Sequence, residues 1–202
     1  MQVVAGKPAR GEVIASNTRR FVAEVPRDAE PPGFGRWVIV ERRDGTALFG
    51  LVSHIEIGSV LSNRQATALG RSREELMREM PQVLALLRSS FEAQVLAYRT
   101  AKGVLRQTLP PQPADLHDMV RLATPAEVQS LSKPYDYLRT LVRNPDPEVP
   151  ADDLLVAALR ALYLAHDEGP DGRRLLHEAG RVLTRLLNDD HERLQSILRR
   201  VV

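Results

Sequence analysis

The chain has 202 residues, 28 basic and 26 acidic side chains and no cysteine, which excludes disulfides and thiolate metal sites and fits a reducing compartment. The start, Met1 to Pro8, holds no apolar core long enough for a secretory leader, and no run approaches the roughly 20 apolar residues of a membrane span. A soluble, cytoplasmic protein is expected, with a basic excess confined to residues 61–110, too dilute for a concentrated nucleic-acid footprint.

In chain order, Gly11-Glu-Val-Ile-Ala-Ser16 leads through Asn17-Thr18 into Arg19 to Val25, where Phe21, Ala23 and Val25 share a face. Period two predicts half-buried strands. After the Pro31-Pro32-Gly33-Phe34-Gly35 loop, Arg36 to Glu41 is a third strand, and Asp44-Gly45 joins it to a fourth over Ala47–Ile57. An Asp-Gly turn with positive φ at both residues makes strands three and four antiparallel neighbours. On the fourth, Phe49, Leu51, Ile55 and Ile57 face one way and Leu48, Gly50, Val52, His54 and Glu56 the other, with Gly50 giving a curved strand room. Short strands this close in sequence predict a closed or nearly closed barrel, which leaves no bare edges.

Ser72-Arg-Glu-Glu75 is a capping box ahead of a stripe of Leu76, Met80, Val83, Leu84 and Leu87, which Pro81 breaks in two. Glu92–Arg99 and Gly103–Gln107 return to strand composition and are read as the last barrel strands, so that residues 62–91 form an insertion. Thr124-Pro-Ala-Glu127 is a second capping box, and Arg143–Pro150 forbids helix. Asp152–Ala165 is apolar almost all round. Leu175 to Leu187 and Leu194 to Val201 follow as amphipathic helices, the last capped by Asp189.

The search for chemistry returns little. Asp152-Asp153 and Asp189-Asp190 sit at helix starts, where carboxylates cap. The five histidines share no metal-ligand spacing, and His117, beside Asp118 on the approach to a helix, is the one singled out. No serine sits in a nucleophile elbow and no phosphate loop occurs. No catalytic, cofactor or metal residue is assigned, and no cofactor is expected.

The strand series Gly11-Glu-Val-Ile-Ala-Ser, Phe21-Val-Ala-Glu-Val, Gly35-Arg-Trp-Val-Ile-Val-Glu and Leu48-Phe-Gly-Leu-Val-Ser-His-Ile resembles the HAS barrel, the N-terminal β-barrel of HerA-type DNA translocases and ATP-synthase subunits. Leu109-Pro-Pro-Gln-Pro…His117-Asp-Met-Val120 is similar to the proline-rich exit from such a barrel. The resemblance covers about half the chain and stops where the family continues into an ATPase domain, so ATP hydrolysis is not implied. It implies contact with neighbouring subunits and with partners such as a nuclease.

The expected fold is α+β: a HAS-like barrel of about six strands over residues 1–110 with a helical insertion near 72–91, a helical connector over 111–147, and a helical bundle over 148–202. The expected function is a non-enzymatic adaptor docking on a HerA-like ring ATPase or DNA-processing assembly, with Phe34, Trp37 and Phe49 as partner-binding anchors. The alternative is direct nucleic-acid binding through Arg19, Arg20, Arg36, Arg42 and Arg43. Nucleic acid is expected to bind weakly at most, membranes not at all, and self-association is allowed.

Overall fold

The computed structural model describes residues 11–27, 29–59, 67–166 and 169–201. Six strands close a fully antiparallel barrel: β1 (Gly11–Ser16), β2 (Arg20–Val25), β5 (Leu87–Arg99), β4 (Ala47–Ser59), β3 (Trp37–Glu41) and β7 (Met119–Leu122), which returns to β1. A two-residue strand, β6 (Leu105–Arg106), adds to β5 outside the ring. The helices are α1 (Arg73–Glu79), α2 (Pro81–Ala85), α3 (Pro125–Ser130), α4 (Asp136–Arg143), α5 (Ala151–Ala165), α6 (Pro170–Leu186) and α7 (His191–Val201). The fold is α+β, and none of the described helices is long and apolar enough to cross a membrane.

The barrel interior holds Val13, Phe21, Ala23, Val25, Val38, Val40, Leu48, Val52, Phe91, Ala93, Val95 and Val120. Phe21 and Phe91 meet edge to face across it, 6.5 Å apart. Gly50 makes room for the Phe21 ring: a methyl there would lie 2.9 Å from it and 3.0 Å from Ala93. On β3 four consecutive residues, Trp37 to Val40, are buried because both faces of that strand are covered. Trp37, Ile39, Phe49 and Leu51 point outward into a second core, which continues without a break through α3 to α7. Barrel wall and bundle therefore share one core, which covers most of the apolar α5 and leaves Leu164 exposed.

Several expectations are corrected. The barrel ring is closed by Met119–Leu122, in the stretch read as connector, whereas Gly103–Gln107 supplies only β6. Strand β5 begins at Leu87, so the helical insertion ends before Phe91. The Leu76–Leu87 stripe is not sealed into a core: α1 and α2 contain no buried residue. Ser53 is an extra residue in β4, between the pairs Val52–Ala93 and His54–Glu92. This bulge flips the alternation, and Ile55 packs on the interior with Leu48 and Val52 rather than with Phe49 and Leu51. In the β3–β4 turn only Gly45 has positive φ. Residues 62–66 of the expected insertion lie outside the described residues.

The helix starts divide. Both capping boxes form, Ser72 with Glu75 and Thr124 with Glu127. Asp152 and Asp153 do not cap α5; they reach across to Arg193 and Arg200 of α7. The cap of α7 is Asp190 rather than Asp189, its Oδ1 accepting the Arg193 N–H at 3.1 Å. His117 precedes a strand, not a helix, and holds φ +72° with its ring against Glu12.

Candidate functional site

The loop from β2 to β3 is held down by two backbone bonds, from the Gly35 N–H to the Val52 carbonyl (2.8 Å) and from the Arg36 N–H to the Gly33 carbonyl (3.1 Å). Gly35 takes φ +73° and lies directly against Ala157 of α5. This turn buries Gly35 and lifts Phe34 to the surface. Between Phe34, Arg36, Pro125, Ala157, Ala161 and Leu164 lies a mostly apolar groove of about 570 Å³. Phe34 is 39% exposed and Leu164 54%.

The other two expected anchors are buried, Trp37 at the base of the groove and Phe49 away from it. Trp37 and Phe49 are 3% and 1% exposed, so they cannot meet a partner while the fold stands. Their positions on β3 and β4 put them under the helices: the Trp37 ring meets the fully buried Tyr137 edge-on at 5.5 Å, and Phe49 lies beneath the Arg99 guanidinium at 5.9 Å. Both belong to the core shared by barrel and bundle, and of the three expected anchors only Phe34 is exposed.

The five arginines do not converge on one face. Arg36 lines the apolar groove, and Arg42 and Arg43 stand past the opposite end of β3. Arg19 and Arg20 line a separate polar cleft of about 920 Å³ with Gln94, Asn144, Asp146 and Glu148. There the Arg20 guanidinium lies 3.2 Å from Glu92, 3.6 Å from Asp146 and 3.7 Å from Glu148, and the Glu92 charge raises its pKa. Arg42 is held by Asp44 at 2.9 Å and Asp115 at 3.5 Å, with its Nε buried and unpartnered. Arg19, Arg36 and Arg43 are exposed.

The strongest ionic site among the described residues escaped the sequence. Arg121 of β7 makes two parallel bonds to Glu127, at 2.7 and 2.9 Å, and a third to Glu41 at 2.5 Å. Burial alone would raise the Glu127 carboxyl, but the Arg121 fork and the Thr124 N–H outweigh it and hold the group at about 2. The same pairing raises the Arg121 guanidinium. The only signal of this site in the sequence is the capping box that contains Glu127. Against α6, burial pushes the Tyr135 hydroxyl up to about 12, and it donates to the Leu175 carbonyl at 3.3 Å. Burial raises Tyr137 as well.

Among the described residues no group of three His, Asp or Glu side chains is placed to hold a metal ion. The groove offers apolar area, an exposed aromatic, two arginines and Asp153. No protein-family model matches the chain, and no curated protein matches it either.

Proposed function

We propose that the chain is a non-enzymatic accessory protein of the cytoplasm that docks on a HerA-like ring ATPase or a related DNA-processing assembly. The observation that carries this reading is Phe34: an aromatic presented 39% exposed on a glycine-held loop, at the rim of an apolar groove, has the character of an interface anchor. The strand series that resembles the HAS barrel supplies the kind of partner. Direct binding of nucleic acid has less support, because Arg20 and Arg42 are already held by carboxylates and Arg36 and Arg43 stand beyond opposite ends of β3.

The test is sedimentation velocity of the purified chain mixed with the HerA-type ATPase of the same cells. A shared boundary is expected, weakened by Phe34→Ala by about 1–2 kcal/mol, roughly tenfold in affinity. Independent sedimentation, or a complex indifferent to Phe34, overturns the reading.

A further inference from the structure

The groove wall contributed by α5 is one continuous helix face. Asp153, Ala157, Arg160, Ala161 and Leu164 recur at spacings of three and four residues. From Asp153 to Leu164 this face runs about 16 Å, some three helical turns. At its centre Ala157, half-buried against Gly35, and Ala161 carry only methyl groups, so the floor is low, while Phe34 and Leu164 rise at the rim. A second helix laid along that floor can bring its own large side chains between those two walls.

Charge selects the kind of helix. Arg36 and Arg160 both line the groove and both are exposed, and among the described residues neither guanidinium has a hydrogen bond or an ion pair. Elsewhere Arg20, Arg42, Arg121, Arg193 and Arg200 are each held by carboxylates. Among the described residues the one acid lining the groove is Asp153, and it pairs with Arg200. The result is an apolar floor flanked by two cations that have no carboxylate partner among the described residues, beside which an incoming carboxylate gains and an incoming ammonium loses.

We propose that this groove receives an acidic amphipathic helix of about three turns from a partner protein, its apolar side chains between Phe34 and Leu164 and its carboxylates on Arg36 and Arg160. The proposal rests on the docking reading above and adds the chemistry of the docked segment. A second copy of this chain fits less well. The helix pair it leaves exposed, with Met77 62% and Leu86 44% exposed, interleaves Arg71, Arg73 and Arg78 with Glu74, Glu75 and Glu79, and so carries no net negative charge.

The probe is a fluorescein-labelled, helix-favouring peptide of about 14 residues with leucines on one stripe and glutamates elsewhere. Two twins accompany it, one with lysine for glutamate and one with alanine for leucine. Fluorescence anisotropy is read against the full chain at about 50 and 300 mM salt. Saturable one-to-one binding of the acidic peptide is expected, weaker at the higher salt, with both twins at least about tenfold weaker. Arg36→Glu combined with Arg160→Glu is expected to invert the preference between the charged twins. Leu164→Ser, at an exposed position that leaves the fold in place, is expected to weaken binding several-fold, as is Ala161→Trp, which fills the floor.

Equal binding of the two charged twins, binding unmoved by Leu164→Ser and the arginine reversals, or no saturable binding overturns the proposal. Concentration-dependent self-association that the peptide competes away also overturns it, because the occupant is then a second copy. If the peptide fails while the ATPase still sediments with the chain through Phe34, this proposal falls and the docking reading stands. If the peptide binds while the ATPase does not, the docking reading falls alone.

Discussion

Gly35 lies so close to Ala157 that a methyl group at position 35 would overlap the alanine side chain, and its φ of +73° is one that L side chains rarely adopt. Gly35→Ala therefore meets two penalties, left-handed strain and overpacking against α5. The expected loss of stability is about 2–4 kcal/mol, read from urea denaturation. Gly103→Ala is the control: its φ is +83°, but nothing lies within 4 Å, so only the strain applies, about 1 kcal/mol. Equal losses at the two sites would show that the contact with Ala157 contributes nothing.

Glu127 gives the acid limb of stability its shape. Its carboxyl is held at about 2 in the folded chain, against an ordinary value of 4.5. A group depressed by folding stabilises fully above its unfolded value and loses that contribution as pH falls from about 4.5 to about 2. Glu127→Gln is expected to cost roughly 2–3 kcal/mol at pH 7. The gap from the parent protein should narrow across that window and close near its lower end. Parallel stability curves down to the lowest pH would contradict the pairing with Arg121.

Gln107, only 7% exposed, ties the end of the sheet to the turn between α3 and α4. Its Nε2 donates to the carbonyls of Leu131 (3.0 Å) and Lys133 (3.1 Å), and its Oε1 accepts the Tyr137 N–H at 3.3 Å. Gln107→Leu keeps the volume and strands three backbone groups, so a loss of about 2–4 kcal/mol is expected. Hydrogen exchange at Tyr137 should rise in the same variant. Unchanged protection there would mean that the amide finds another acceptor.

The sequence carried the architecture where the pattern is local. Alternation gave β1, β2 and β4, the apolar run before Asp44-Gly45 gave β3, the capping boxes at Ser72 and Thr124 gave two helix starts, and the Arg143–Pro150 break separated α4, which takes in Arg143, from α5. It failed where a decision depends on distant partners. Ser53 in the middle of a regular strand gives no sign that it is an extra residue, yet its bulge turns Ile55 to the other face. Met119–Leu122 has one fully buried side chain, Val120, too little periodicity to read as a strand. Trp37 and Phe49 were legible as aromatics near loops, but whether a helix covers them is set by α3 to α5, far along the chain. The groove has the same origin: Ala157 and Ala161 become a floor only because Gly35 admits α5 to the barrel.

Strand β7 pairs with β1 on one side and β3 on the other, which gives synthesis an order. Until residues 119–122 leave the ribosome, β1 and β3 each present a row of unpaired backbone groups, and the nascent sheet has two open edges. The four residues of β7, which give the barrel core only Val120 and the half-buried Leu122, are those that end this exposure. A chain stopped before Met119 is thus an open ribbon suited to joining others of its kind, and the risk of misassembly is concentrated in the interval between making the fifth barrel strand and making the sixth.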